Sequence, residues 1–140
     1  MVFVVFNTIF NLASQEDQLR CFCNVASHLS DDGYFVVEAF VPDSAWLGED
    51  QYVATEAVGL DEVVLETWRH DRSAQVLDKV HIRLRGDDVR LYPVVLRYSW
   101  PSELDLMARL AGLRLKERWA GRRGEHFGPQ SNSHVSFYGW

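Results

Sequence analysis

Val2-Phe3-Val4-Val5-Phe6, residues 15–29 and Tyr34-Phe35-Val36-Val37 together decide how this chain reads. The outer two segments are unbroken apolar runs of β-forming residues. The middle one carries Leu19, Phe22, Ala26 and Leu29 at helical spacing. Strands buried on both faces lose the alternation of half-exposed ones. Apolar runs flanking a helix therefore predict a parallel pair joined by a right-handed βαβ crossover, with helices covering the sheet. Ser14, with Asp17 three residues on, is the expected N-cap, and Glu16 and Asp17 suit the positive end of the helix dipole. Asp31-Asp32-Gly33 then turns the chain into the second strand. Asn7 to Ser14 is a loop at the carboxyl end of the first strand, the end where open parallel sheets bind ligands. Glu38, among apolar neighbours near the end of the second strand, reads either as a ligand-facing carboxylate or as a solvated strand terminus.

Further along, Pro42 to Gly59 shows no regular pattern and reads as irregular, punctuated by Pro42, Gly48 and Gly59. Three β-like stretches follow, at residues 63–68, 74–85 and 89–99. Val80, Ile82 and Leu84 alternate with His81, Arg83 and Arg85, as on a half-exposed strand, and Gly86-Asp87-Asp88 is a turn signal. Together these predict an antiparallel meander, with Pro93 placing its last strand at an edge or a bulge. Pro101 and Glu103 open a second helix whose apolar face is Leu104, Met107, Ala108 and Ala111, and Gly112 stops it. Residues 113–119 and 133–138 read as two more strands around a Gly- and Arg-rich loop.

The bulk properties narrow the possible functions. At 140 residues, 47% hydrophobic and 13% aromatic, the chain is expected to form a single globular domain over residues 1–140. A formal charge of −6 argues against nonspecific binding to nucleic acid or to anionic membrane, both of which need positive surface. Cys21 and Cys23, two apart on a helix, point to different sides and cannot bridge, which suits reduced thiols in a cytoplasmic protein. The apolar run at residues 2–6 is too short to span a membrane, and no basic leader precedes it. His28, His70, His81, His126 and His134 show neither HxH nor HExxH spacing, so no metal site is expected. His28 suits a helix carboxyl end. His126 and His134 read first as solvent-facing, with a pocket-lining role as the alternative. Arg114, Lys116, Arg118, Arg122 and Arg123 read as a solvated face and loop rather than an anion site. No GxSxG occurs and neither cysteine has a base nearby in sequence, so nucleophilic catalysis has little support.

Taken in order, these pieces resemble the carboxyl-terminal half of a class I S-adenosylmethionine-dependent methyltransferase of the small-molecule type. The residues that carry the likeness are Phe3 through Leu12, Gln15 through Gln18, and His28 through Glu38, followed by Tyr98 through Leu104 and Ala111-Gly112-Leu113. The resemblance implies an α/β fold: half of a Rossmann-like sheet, built from a βαβ unit, an antiparallel meander inserted on the substrate side at residues 60–99, then a helix and two strands with one strand antiparallel. It implies S-adenosylmethionine as cofactor, with Asn7 and Thr8 nearest its methyl group, and a small-molecule substrate near Phe10, Asn11 and Tyr98. Glu38 is the candidate general base. No metal is implied.

One departure stands out. The family holds its cofactor through a Gly-rich turn after its first strand and an acidic residue ending its second, and this sequence contains no GxGxG. An isolated chain is therefore expected to bind S-adenosylmethionine weakly or not at all, and to be inactive without the missing half. The alternative is a noncatalytic small-molecule-binding or scaffold protein derived from the substrate half. In the family's fold, the strand matching Val2–Phe6 is central. Here one edge of it would be open and apolar, so the sequence predicts a homodimer paired through that edge about a twofold axis, or a partner chain that covers it.

Overall fold

The computed structural model describes residues 1–43 and 50–140. The chain divides into two compact units, Met1–Asp43 with Ser99–Trp140 and Ser44–Tyr98. Within the described residues no helix is long and apolar enough to cross a membrane.

The first unit is a four-stranded mixed sheet with two helices. Its elements are β1 (Val2–Val4), α1 (Gln15–Ala26), β2 (Phe35–Phe40), α2 (Pro101–Leu110), β7 (Arg114–Trp119) and β8 (Ser133–Gly139), and the strand order is β1-β2-β8-β7. β1 and β2 are parallel, Val2 opposite Phe35 and Val4 opposite Val37, as expected. β8 runs antiparallel to both β2 and β7. The α/β class, the parallel pair and the closing helix with two strands are thus all present.

α1 begins where the sequence places it. Ser14 Oγ accepts from the Asp17 backbone N–H at 3.0 Å and donates to the Asp17 carboxylate at 2.7 Å. The helix ends at Ala26 rather than Leu29, and His28 Nδ1 lies 2.7 Å from the Asn24 carbonyl, the end-of-helix position expected for it. α2 stops at a left-handed Gly112 (φ 84°), where the Leu113 N–H reaches back to the Ala108 carbonyl at 2.8 Å.

Both helices pack on one face of the sheet. Phe22 of α1 sits edge-on to Phe35 at 5.0 Å and to Tyr138 at 5.5 Å, and Asp105 of α2 bonds Tyr138. That face carries Phe35, Val37, His134, Ser136 and Tyr138, all buried. The opposite face carries Val36, Val135 and Phe137, with Trp119 against Phe137 at 4.4 Å. Helices on both faces were the sequence expectation; among the described residues they cover one. Phe3, opposite Val36, is 66% exposed, and among the described residues β1 pairs only with β2.

The helix-covered face also hides a polar layer. Ser99 Oγ donates to Gln18 Oε1 at 2.6 Å, and Gln18 Nε2 donates to the Leu12 carbonyl, which satisfies a fully buried amide. Arg118 Nε donates to Ser136 Oγ at 2.7 Å while its Nη2 meets Asp105 Oδ1 at 2.5 Å, and the Tyr138 hydroxyl donates to the same oxygen at 2.9 Å. His134 Nδ1 lies 2.8 Å from Ser136 Oγ. The solvent-facing reading of His134 is overturned, because its side chain is completely buried. Arg118, read as part of a solvated face, is likewise an internal ion-pair residue with 12% side-chain exposure.

The second unit is a four-stranded antiparallel sheet in the order β3 (Gln51–Val58), β4 (Val63–Asp71), β5 (Val76–Arg85), β6 (Asp88–Arg97). The meander is present with one strand more than expected. Gln51–Val58, read as irregular, pairs along β4 with a register shift between Thr55 and Ala57. All but one of its residues are exposed, so burial imposes no alternation on its sequence. Of that irregular stretch, residues 44–49 lie outside the described residues, Trp46 and Gly48 among them. Pro93 falls on β6, an edge strand, where a missing N–H is tolerated.

Candidate functional site

The sequence places the site where β1 ends, and there the backbone does something unusual. Phe6 and Asn7 both adopt positive φ, 55° and 61°. Asn accepts this region readily; a bulky Phe does not, and it holds the conformation only because its surroundings fix it. The fixing groups belong to β2. The Asn7 N–H donates to the Glu38 carbonyl at 3.2 Å, the Phe40 N–H donates to Asn7 Oδ1 at 2.7 Å, and the Phe6 N–H donates to Glu38 Oε2 at 3.2 Å. Thr8 turns back on β1, with both its N–H and its hydroxyl donating to the Val5 carbonyl. A single 3₁₀ turn, Thr8–Asn11, follows.

Glu38 is the hub of this arrangement. Arg122, from the loop before β8, clamps it with Nε at 2.7 Å from Oε1 and Nη2 at 2.9 Å from Oε2. The same guanidinium stacks over the Phe6 ring at 4.3 Å. The Arg122 hydrogen bond, helped by the Phe6 N–H, holds the Glu38 carboxyl below the usual carboxylate range; partial burial pulls the other way and loses. Such a group is a weaker proton acceptor, so the geometry suits Glu38 as a clamp on the β1 turn better than as the expected general base. Replacing Arg122 by Gln is expected to return Glu38 toward an ordinary carboxylate titration in a carbon-detected NMR pH series. An unchanged curve would remove Arg122 from this role.

The structure thus brings Asn7, Thr8 and Glu38 together. Asn11 follows in the 3₁₀ turn and is exposed. Phe10 is displaced from the role given it: its side chain is fully buried, edge-on to Phe40 at 4.9 Å, and is core rather than an open pocket wall. Tyr98 belongs to the second unit, buried there with its hydroxyl 3.0 Å from His70 Nε2. Sequence reading missed Arg122 and Phe6 as partners of Glu38, since 84 residues separate Glu38 from Arg122 and no local pattern links them.

Glu56, Glu66 and His81, on three neighbouring strands of the second unit, place possible ligand atoms within 4.8 Å of one another. Lys79 Nζ already sits 2.7 Å from Glu66, and His81 Nδ1 lies 2.9 Å from Glu56. The group reads as an ion-pair cluster on a half-exposed face.

With strand order, the closing antiparallel strand and the β1 turn in view, the class is defined: the chain has the fold of the S-adenosylmethionine-dependent methyltransferases and matches somewhat more than half the length of such a protein. It is similar to the CcbJ methyltransferase from Streptomyces caelestis, at 40% identity and a TM-score of 0.93, over 99% of this chain and 59% of that one. An S-adenosylmethionine-dependent methyltransferase from Clostridium acetobutylicum shares the fold at 9% identity and a TM-score of 0.80, over 98% and 56% of the two chains. So does S-adenosylmethionine-bound CalS10, an amino pentose methyltransferase from Micromonospora echinaspora, at 17% identity and 0.59, over 97% and 57%. Neither a family model nor a curated protein sequence matches the chain.

Proposed function

We propose that this chain is the carboxyl-terminal, acceptor-side part of a small-molecule S-adenosylmethionine-dependent methyltransferase, and that these 140 residues alone do not methylate. The observation that carries the reading is the asymmetry of the likeness: it takes in nearly all of this chain and only 59% of the relative that is 40% identical. The residues present fit the cofactor in part. Asn7 and Thr8 hold the β1 turn in a fixed shape, but their backbone N–H groups are committed to Glu38 and Val5. The sequence contains no GxGxG turn that would let the cofactor's ribosyl or methionyl part approach the backbone closely. When bound, the cofactor would supply the electrophilic methyl group; this chain's share is to fix the loop beside it and present the acceptor.

The uncovered edge of β1 supports the same reading, as a place for a further strand from the cofactor-binding half. Pairing of two copies through that edge is the competing use. The clamped state of Glu38 favours a second reading, a noncatalytic small-molecule binder. Calorimetric titration of the purified chain with S-adenosylmethionine and S-adenosylhomocysteine tests the main proposal. Weak or absent heat is expected, and micromolar or tighter binding would overturn it.

A further inference from the structure

One face of the second unit brings side chains from three strands to a single point. Glu66 on β4 and His81 on β5 stand directly opposite each other in the ladder. Glu56 comes from β3, where the register shift between Thr55 and Ala57 makes it the extra, unpaired residue of a bulge. β3 and β5 are two strand spacings apart, about 10 Å between backbones. Glu56 Oε2 and His81 Nδ1 nevertheless lie 2.9 Å from each other, and His81 Nε2 is 3.8 Å from Glu66 Oε2. One oxygen of each carboxylate and one imidazole nitrogen fall within 4.8 Å of one another, and no other three His, Cys, Asp or Glu side chains among the described residues converge in this way. The three come from three different strands, which is why no histidine spacing in the sequence announces them.

We propose that Glu56, Glu66 and His81 bind a divalent transition-metal ion of the zinc class, and that the ion ties β3 to β4 and β5. The donor types select the ion. Two carboxylates and an imidazole suit Zn²⁺, whereas Mg²⁺ and Ca²⁺ prefer oxygen ligands alone. The spacing is within reach of side-chain rotation: around tetrahedral zinc, with bonds of about 2.0–2.2 Å, ligand atoms stand about 3.3 Å apart. The Glu56–His81 pair, at 2.9 Å, is close to that separation already. Charge favours the ion as well. Lys79 Nζ lies 2.7 Å from Glu66 Oε2, but one ammonium against two carboxylates leaves a negative charge over when the imidazole is neutral. Lys79 is thus a competitor for Glu66, and its long stem lets the ammonium swing out to water when the ion arrives. β3 gains most from the link. All but one of its residues are exposed, so side-chain burial does little to hold it on β4.

Calorimetric titration of the full chain with zinc chloride at about pH 8, where imidazole is ordinarily neutral, tests the proposal, with magnesium chloride as the control. One saturable site in the micromolar range is expected for Zn²⁺ and none for Mg²⁺. Glu56→Gln and His81→Gln are each expected to weaken zinc binding about ten-fold or more, with circular dichroism to check that both variants are folded. The Glu56 side chain is 53% exposed, so that variant keeps the test open if His81→Gln does not fold. Lys79→Gln is expected to tighten binding. Hydrogen exchange supplies a second readout: the β3 amides should slow when zinc is added to the wild type and not when it is added to Glu56→Gln. Zinc uptake unchanged in both Gln variants puts the ion elsewhere, as at the exposed thiol of Cys23, and overturns the proposal. So does the absence of saturable uptake, or equal binding of Zn²⁺ and Mg²⁺.

Discussion

Asp105→Ala is expected to lower the unfolding free energy by about 3–5 kcal/mol, the cost of leaving a buried charge without its partner. Arg118 is 12% exposed at its side chain and Asp105 22%, so the pair is shielded from water on most sides. Removing the carboxylate strips the guanidinium of its short contact to Oδ1 and deprives the fully buried Tyr138 hydroxyl of the acceptor it donates to. Burial, with the Asp105 charge alongside, already pushes the Tyr138 phenol above its ordinary pKa, so it stays protonated and cannot substitute as the counter-charge. Urea titration of the two proteins measures the difference. A second change, Arg118→Met, made on the Asp105→Ala background should recover much of the loss, because the penalty comes from the stranded charge and not from the missing attraction. A loss below about 1 kcal/mol for Asp105→Ala would mean that water reaches the pair.

His134 supplies the other large effect, and it is one of pH. Burial pushes its imidazole down to about 4, with the Arg118 charge acting in the same direction and Asp105 opposing. The unfolded chain protonates this group near 6.5. Between those two values the unfolded state takes up a proton that the folded state refuses. The stabilisation is whole above about pH 6.5 and is lost as pH falls toward 4, for a total on the order of 3 kcal/mol. Nε2 has no hydrogen-bond partner, so protonation would place a donor with nothing to receive it in a closed space. Urea midpoints collected from pH 7 to pH 4 should fall steeply for the wild type and less steeply for His134→Leu. Since carboxylates also begin to titrate in this range, the quantity that decides is the difference between the two curves. Parallel curves would show that His134 is not the group responsible.

Local rules in the sequence were enough to find most elements of the fold. The alternation Val80, Ile82, Leu84 is a strand because one face is apolar and the other is not, and Ser14 caps α1 because its hydroxyl reaches an otherwise idle N–H. Gln51–Val58 was hidden because a strand exposed on nearly every residue has no burial pattern to print. The polar interior was hidden for a different reason. Gln18 meets Ser99 across 81 residues and Glu38 meets Arg122 across 84, and a side chain satisfied by so distant a partner looks, in sequence, like a surface residue. Asn7 and Thr8 entered by resemblance alone, and what the structure shows of them is the turn they form against Glu38 and Val5. That Phe10 turns inward while Phe6 stays out follows from the left-handed pair at Phe6 and Asn7, which no propensity would suggest.

That left-handed pair has a consequence for any molecule that arrives at the loop. Two successive non-glycine residues at positive φ carry a conformational cost of order 1–3 kcal/mol each, met once, when β1 and β2 come together. The 7–11 loop has then already surrendered its freedom of shape. A ligand docking there would lose no affinity to ordering the backbone, and the loop could not remould itself to suit a poorly matched one.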